Sequence, residues 1–333
     1  MYKIKQTPED FIVREVPLFS ENDLSGGEFA YFLLIKRNIT TRDAIEEIAK
    51  LNHIPFSLVN VSGYKDKAAV AYQYFSIHGW KDTSLRALSG VSVQYIGHGK
   101  TPLCLGSLRG NEFTITVRCI TKKKYSQLKG LLNKAVVMPN YFGEQRFSER
   151  NHLIGKAVVK KDFQKAVSLI IQGQGPVEEK VQEFISKHPS NPIGALQSVP
   201  LKLLQFFIHA YQSSIFNALL KTFIAQGGNP PEKLKLPLIG FGTDIEDLHG
   251  AVKGLVRKLL AKERLSPNDF ITRSFPHLSS EGTEREAFLP VKGIHLGEIL
   301  EDELNKGKKK AVLSFFLPKN TYATELIKHL LLG

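Results

Sequence analysis

The stretch SLVNVSGYKDKAAVAYQYFSI, residues 57–77, contains two predicted strands joined by a charged loop. SLVNVSG is a short, largely apolar run that ends at the Gly63 turn, and AYQYFSI, residues 71–77, is rich in strand-forming side chains. The two runs predict a hairpin-like pair of strands. Asp66 lies on the connecting loop, within the string GYKDK.

The segments on either side add further strands and two helices. Upstream, residues 10–16 and 27–38 are predicted strands, and Thr40 and Thr41 are candidate N-caps of a helix. Downstream, VSVQYIG and NEFTITVRCI predict two more strands, and residues 125–132 have apolar side chains at helical spacing. This mixed order favours an α+β domain and argues against a doubly wound parallel sheet.

The pattern changes after Asn151. Helices are predicted over residues 163–171, 181–186 and 203–224. A strand pattern returns in AVLSFFLP, residues 311–318, and a short helix follows it. The simplest arrangement is a helix-rich insertion inside a core that both ends of the chain build.

The charge balance points to a polyanionic partner. Lys plus Arg outnumber Asp plus Glu by 45 to 32, which gives a net charge of +13. Such an excess is typical of proteins that bind RNA or DNA, although it also occurs on surfaces that are only well solvated. The lysine runs at 122–124 and 306–310 have the same two interpretations, phosphate contacts or solvated turns.

Several classes of protein are disfavoured by what the chain lacks. Cys104 and Cys119 belong to no CxxC pattern and the histidines are scattered, so we expect neither a disulfide framework nor a metal site. No GxGxxG opens a helix after a strand, which argues against a dinucleotide or methyl-donor cofactor. The start of the chain has no apolar leader and no run approaches a membrane span, so we expect a cytoplasmic protein.

Two strings carry residue types suited to handling a nucleobase. GYKDK supplies Asp66 beside Lys65, and PNYFGEQRF, residues 139–147, supplies Phe142 and Arg146. A carboxylate near a ribose can react at the glycosidic carbon, and an aromatic ring can stack on a base in a basic surround. Taken singly, however, Asp66 is typical of a turn and Phe142 of a hydrophobic core.

The same strings occur with others in a distinctive order. The chain opens with KQTPEDFIVREV and continues with GYKDK, LGSLRGNEF, PNYFGEQRF, AYQSSIFN and EGTEREA. This ordered set resembles the TruD family of RNA pseudouridine synthases. The chain departs from the family pattern at Ser148 and Asn320, where the family often has glycine, and of the two Asn tolerates a positive φ better.

The resemblance implies a pseudouridine synthase fold with an inserted TRUD domain. Residues 1–158 and 290–333 would form the catalytic domain and residues 159–289 the insertion. It also implies an enzyme that isomerises a uridine in structured RNA, uridine 13 of tRNA in this family, with no cofactor and no metal. We expect it to act as a monomer.

The resemblance also implies residue roles. Asp66 matches the catalytic aspartate, and Lys5 matches a basic partner that would favour its ionised form. Phe142 matches the aromatic residue that stacks on the base, and Asn140 is the polar residue of the same turn. Tyr322 matches an aromatic position close to the site.

With these roles, Arg146 and Lys65 are expected to contact the RNA.

Two alternative functions would use the same residues. A tRNA-binding or chaperone protein on the same scaffold would need the basic surface, but not a carboxylate facing an anionic ligand. A methyl-donor RNA-modifying enzyme would need the glycine-rich loop that is missing. The sequence leaves open whether Asp66 is a nucleophile or a base.

Overall fold

The computed structural model describes residues 2–148, 150–227, 233–248 and 250–332. The chain divides into two compact units. Unit 1 consists of Met1–Val137 and Pro290–Gly333, and unit 2 consists of Met138–Leu289. Both ends of the chain therefore belong to one unit, and the other unit is a continuous insertion.

The first boundary differs from the one inferred from the sequence, which followed residue 158. Helix Asn151–Val159 belongs to unit 2 because it packs on the long helix Leu201–Ala225. At Gly155 the two backbones are so close that an added Cβ would lie 1.9 Å from the carbonyl oxygen of Phe207. The second boundary, after residue 289, is at the same position in the structure as in the sequence-based inference. The roles assigned to the two units remain predictions.

Strands and helices are mixed along the chain. The first part contains β1 (Phe11–Pro17), β2 (Phe29–Arg37), α1 (Thr41–Leu51), β3 (Val59–Val61), β4 (Val70–His78), β5 (Val91–Gly99), β6 (Leu108–Ile120), α2 (Lys122–Leu132) and β7 (Val136–Pro139). The middle contains α3 (Asn151–Val159), α4 (Phe163–Ile170), α5 (Pro176–Lys187), α6 (Pro192–Gln197), α7 (Leu201–Ala225), β8 (Lys235–Leu238), α8 (Gly250–Glu263), β9 (Thr283–Glu286) and β10 (Phe288–Val291). The last part contains β11 (His295–Leu296), β12 (Leu300–Glu301), β13 (Lys309–Pro318) and α9 (Ala323–Leu332).

A mixed sheet forms the framework of unit 1. Its strand order is β11-β13-β6-β1-β4-β2-β5, with β12 paired to β13 and β3 paired to β4. β1 runs parallel to β4 and antiparallel to β6. The α+β class with a mixed central sheet is therefore confirmed, and β3 and β4 form the antiparallel pair expected from residues 57–77.

Helix α1 covers the part of the sheet that carries the Asp66 loop. Its N-cap is Thr40, whose side chain accepts a hydrogen bond from the backbone N–H of Asp43. Its apolar residues pack with Phe32 of β2 and Phe75 of β4 in one hydrophobic core. The strand–strand–helix prediction is confirmed, because an apolar strand face and an apolar helix stripe must be buried against each other.

Unit 2 is built around α7. Buried residues occur along most of this helix, so it is covered by neighbouring elements on several sides, including α3 and α8. β8 and β9 form a small antiparallel pair in the same unit. Among the described residues, no helix is long and apolar enough to cross a membrane.

The two departures from the family's glycines have left-handed backbone conformations. Ser148 has φ of 42° and Asn320 has φ of 64°. Glycine reaches this region without steric cost, whereas a residue with a Cβ is strained there. Both positions therefore have a backbone geometry that glycine adopts easily, although neither residue is glycine.

Candidate active site

The loop between β3 and β4 is held from beneath by two buried side chains. Gln73 of β4 donates from Nε2 to the carbonyl oxygen of Gly63 at 3.3 Å. Thr41, the first residue of α1, donates its hydroxyl to Oε1 of Gln73 at 2.8 Å and accepts a hydrogen bond from the backbone N–H of Lys65 at 2.8 Å. The loop that carries Asp66 is therefore tied to a strand and to a helix start.

Asp66 and Lys5 form a direct ion pair. Nζ of Lys5 lies 2.7 Å from Oδ2 of Asp66, and their side chains are 18% and 35% exposed, respectively. The same ammonium lies 4.2 Å from the centre of the Phe11 ring. No described residue donates a hydrogen bond to the other oxygen, Oδ1 of Asp66, so a carboxylate oxygen at an accessible position remains available for a ligand.

The segment that carries Lys5 is fixed by a buried network of charges. Both backbone N–H groups of Gln6 and Thr7 donate to Oδ2 of Asp10. Arg118 of β6 binds Asp10 through Nε at 2.9 Å and Asp302 through Nη1 at 2.9 Å. The hydrogen bond with Asp10 raises the pKa of Arg118 above its ordinary value. Sequence reasoning missed this network because its members lie more than 100 residues apart.

Lys36 is a second residue that sequence reasoning missed. It lies near the end of β2, is fully buried, and donates from Nζ to the carbonyl oxygen of Asp66 at 2.6 Å. Burial lowers the pKa of its ammonium to about 8. The sequence does contain a signal for its burial. Lys36 follows Phe32 and Leu34 at every second position of the strand, on the buried face, where a charged residue is unexpected.

Lys65, predicted to bind the substrate, has its ammonium inside the protein. Its Nζ lies 2.8 Å from Oε2 of Glu15, and the two side chains are 10% and 0% exposed. Glu15 takes the place of an apolar residue on the buried face of β1, and its Oε1 has no partner among the described residues. The geometry gives Lys65 a contact that anchors the loop, while its contact with RNA remains a prediction.

Asn140 and Phe142 lie in unit 2 and are both buried. Asn140 donates from Nδ2 to the carbonyl oxygen of Glu286 and accepts a hydrogen bond on Oδ1 from Arg285 at 2.6 Å. The backbone of Phe142 forms two hydrogen bonds with the side chain of Asn217, each 2.9 Å long. The turn that carries the predicted stacking residue is thus fixed on both sides.

Two arginines flank the Phe142 ring. The guanidinium carbon of Arg285 lies 4.1 Å from the ring centre, and that of Arg146 lies 5.2 Å from it. Phe216 packs against the ring edge-on, with ring centres 5.5 Å apart. Arg146 is also held by Ser213, whose hydroxyl oxygen accepts from its Nε at 2.8 Å. Arg285 was not singled out beforehand, although it belongs to the EGTEREA string.

Tyr322 lies in unit 1, immediately before α9. Its carbonyl oxygen accepts from the backbone N–H groups of Glu325 and Leu326, which opens the helix. Three residues earlier, Lys319 donates from Nζ to the carbonyl oxygen of Gly106, whose own N–H donates to Ser62 at the start of the Asp66 loop. The segment before Tyr322 is therefore connected to the loop through two hydrogen bonds. A role for the Tyr322 side chain remains a prediction.

The two lysine runs come together at one end of the β6–β13 pair. Lys309 lies opposite Ile120, two residues before the three lysines at 122–124 that begin α2. Lys309 and Lys310 form ion pairs with Glu301 and Glu303. Among the described residues no acidic partner neutralises the remaining lysines of the two runs, which are Lys122, Lys123, Lys124, Lys306 and Lys308.

Comparison with known proteins gives a consistent result over the whole chain. The family model described as tRNA pseudouridine synthase D (TruD) matches residues 2–187, 177–235 and 232–330. A Thermococcus onnurineus protein assigned as tRNA pseudouridine synthase D is 31% identical, over 99% of this chain and 94% of that protein. A Methanosarcina acetivorans protein with the same assignment is 30% identical, over 98% of this chain and 91% of that protein. The crystal structure of a Methanosarcina mazei protein, also assigned as TruD, superposes with a TM-score of 0.77 at 26% identity, over 99% of this chain and 93% of that one.

Proposed function

The chain belongs to the TruD family of tRNA pseudouridine synthases, and we propose that it converts uridine 13 of tRNA to pseudouridine with Asp66 as its catalytic carboxylate. The reaction is an isomerisation. The bond from ribose C1′ to N1 of uracil breaks, the base rotates in place, and C1′ bonds to C5, which gives up its proton while N1 takes up a proton. No atom is oxidised or reduced, so the reaction needs no redox cofactor.

The geometry of Asp66 is the observation that carries this proposal. Its carboxylate is partly exposed and is held by Lys5 through a single oxygen. An ionised carboxylate can attack the sugar as a nucleophile or remove a proton from it as a base. Both roles require the carboxylate in its ionised form.

The substrate has to present an unstacked uridine to this carboxylate. Extruding a base from its stack costs a few kcal/mol, which an aromatic surface partly offsets. We assign that surface to Phe142, supported by Asn140 on the same turn and by the guanidinium group of Arg285 over the ring. Guanidinium planes also stack on bases, so Arg146 and Arg285 suit the same environment.

The exposed lysines are suited to the rest of the RNA. The cluster formed by residues 122–124 with Lys306 and Lys308 lies on unit 1, and Lys233 and Lys235 are exposed on unit 2. Lysines that neutralise phosphates raise affinity without reading sequence. We propose that these side chains contribute affinity and that Asp66 contributes chemistry.

A non-catalytic tRNA-binding protein on this scaffold is the second candidate. It is favoured by the same basic surface but leaves the Lys5–Asp66 pair and the anchored loop without a purpose. A carboxylate at an RNA-binding surface repels phosphate, so a pure binder would gain from its absence.

Release of tritium separates the two candidates. The protein is incubated with a tRNA transcript that carries tritium at C5 of uracil, with no added cofactor. We expect stoichiometric release of tritium into water and one pseudouridine per tRNA at position 13. A tRNA that is bound tightly but releases no tritium would support the binding protein instead.

A further inference from the structure

Lys36 makes an unusual contact with the catalytic loop. Its side chain is fully buried, and its ammonium donates to two backbone carbonyl oxygens, those of Ile39 at 2.7 Å and Asp66 at 2.6 Å. Ile39 lies just before α1, so a single side chain joins the end of β2, the approach to α1 and the Asp66 loop.

This placement has an energetic cost. A buried ammonium without a carboxylate partner is disfavoured relative to water, and burial accordingly lowers the pKa of Lys36 to about 8. Within the described residues Lys36 forms no ion pair, and its hydrogen-bond acceptors are neutral carbonyl groups. A leucine or methionine at this strand position would pack without that cost, so the contact with Asp66 is the feature that distinguishes lysine here.

The main chain just before Asp66 is also bound by a buried side chain. The backbone N–H of Lys65 donates to Oγ1 of the buried Thr41 at 2.8 Å. Lys36 then binds the carbonyl oxygen of the next residue, Asp66. Two buried side chains from adjacent elements thus fix the main chain on both sides of the Asp66 Cα atom, while the carboxylate itself extends to a partly exposed position.

We propose that Lys36, together with Thr41, is a positioning residue for pseudouridine formation that holds the Asp66 main chain so that the carboxylate meets the ribose in one orientation. The inference rests on the proposed function of Asp66. A displacement of 1 Å in a reacting group can cost about 100-fold in rate. Lys36 is buried and contacts the loop from inside, so its removal should affect turnover much more than RNA binding.

The first test is Lys36→Met, assayed by tritium release under saturating and limiting tRNA. We expect kcat to fall about 100-fold and KM for tRNA to stay within about threefold of the wild-type value. The matched control is Lys161→Met in unit 2. The Lys161 ammonium also donates to backbone carbonyl oxygens, those of Val159 and Asp269, so this variant loses the same kind of contact without touching the Asp66 loop. It should lower the melting temperature and leave kcat unchanged.

Thr41→Val provides the second variant, and it decides the question should Lys36→Met fail to fold. It is nearly isosteric and removes the hydroxyl that accepts from Lys65. We expect a fall in kcat of about tenfold with KM again nearly constant. A wild-type kcat in the folded variants, or parallel losses of kcat and tRNA affinity, would overturn the positioning role.

The two levels of the proposal fail differently. Should Asp66→Asn retain turnover, the proposed catalytic function is wrong whatever Lys36 does. Should Asp66→Asn be inactive while Lys36→Met and Thr41→Val turn over normally, the positioning role alone is wrong.

Discussion

The Asp66 region of unit 1 and the Phe142 region of unit 2 use buried polar groups in opposite ways. Around Asp66, the buried side chains of Lys36 and Thr41 form hydrogen bonds with the main chain of the loop, and the Asp66 side chain stays partly exposed. Around Phe142 and Asn140, the side chains themselves are buried and their polar groups are bonded within the unit.

The two regions differ as a reacting group differs from a supporting one. A group that carries out chemistry needs hydrogen-bonding capacity that the fold has not used, whereas a group that shapes a site is stabilised by using all of it. Oδ1 of Asp66 has no described donor, while both ends of the Asn140 amide are engaged. The Asp66 carboxylate in unit 1 has the unused capacity expected of a reacting group, and the Asn140 amide in unit 2 has the full set of bonds expected of a supporting group.

The strongest test of this contrast is Asp66→Asn. We expect pseudouridine formation to fall on the order of a thousandfold or more, because the amide cannot act as nucleophile or base, while tRNA affinity is retained. Tritium release and a filter-binding assay measure the two quantities. Asp82→Asn is the matched control, because Asp82 follows a lysine as Asp66 does but lies on an exposed loop. Turnover within tenfold of wild type in Asp66→Asn would place the chemistry elsewhere.

The buried ammonium beneath Asp66 should be visible in the pH dependence of stability. The pKa of Lys36 is lowered from 10.5 to about 8, so between these values the unfolded chain binds more protons than the folded one. The free energy of unfolding should therefore rise with pH across this window, by on the order of 3 kcal/mol. Asp66 raises this pKa and Lys65 lowers it, and both remain in the variants compared.

Urea unfolding of the wild type and of Lys36→Met at several pH values between 7.5 and 10.5 checks this expectation. The difference between the two proteins should grow with pH in favour of the wild type, since tyrosine titrations are common to both. A pH-independent difference would mean that Lys36 has the same pKa in the folded and the unfolded protein. Lys161 is more exposed than Lys36, so the stability difference between the wild type and Lys161→Met should change less with pH.

Phe142→Ala tests whether the unit 2 region serves the substrate or only its own packing. A stacking role predicts a loss of about 1–3 kcal/mol in the interaction with the extruded base, with Phe142→Tyr nearly unaffected. Steady-state kinetics measures this loss, and thermal melting measures packing in the same samples. Phe216→Leu, at the edge-on neighbour, should lower stability with little effect on kinetics. A lower melting temperature with normal turnover for Phe142→Ala would return this ring to the core.

Lys5→Met sharpens the assignment within unit 1. Loss of a charge-assisted hydrogen bond to a partly exposed carboxylate should reduce kcat about tenfold, because Asp66 then lacks its partner cation. Binding of tRNA should change little. A main effect on tRNA affinity, measured by filter binding over a range of salt, would make Lys5 a phosphate contact instead.

The smallest expected effect concerns the lysines that contact RNA in each unit. Lys122→Glu with Lys308→Glu in unit 1 should weaken tRNA binding severalfold and lower its salt slope by about 2. In unit 2, where Lys235 is paired with Glu284, Lys233→Glu should lower the salt slope by about 1. Lys309→Glu with Lys310→Glu is the control. Glutamates already neutralise these two lysines, so the salt slope of tRNA binding should fall less in this variant. Unchanged salt dependence in the unit 2 variant would remove that unit from the RNA-binding surface.

Local sequence was sufficient for the elements and for the most exposed part of the site. The period of apolar residues and the caps at Thr40 and Thr41 predicted β2, α1 and the β3–β4 pair, because these features depend on neighbours within a few turns or strands. Asp66 was placed correctly on the loop between the two strands. Its partner Lys5 was inferred only through the resemblance, although the two groups do meet at 2.7 Å.

The supports of the site were decided by tertiary structure. Arg118 joins Asp10 to Asp302, and Arg285 of β9 binds Asn140, across separations of more than 100 residues. No local pattern encodes such contacts, because the energy of a buried charge depends on which distant groups the fold places beside it. The alternation of β2 indicates that Lys36 is buried, but only the folded sheet and loop show that its ammonium donates a hydrogen bond to the main chain of Asp66. A sequence can thus name the carboxylate, whereas the orientation of that carboxylate depends on long-range packing.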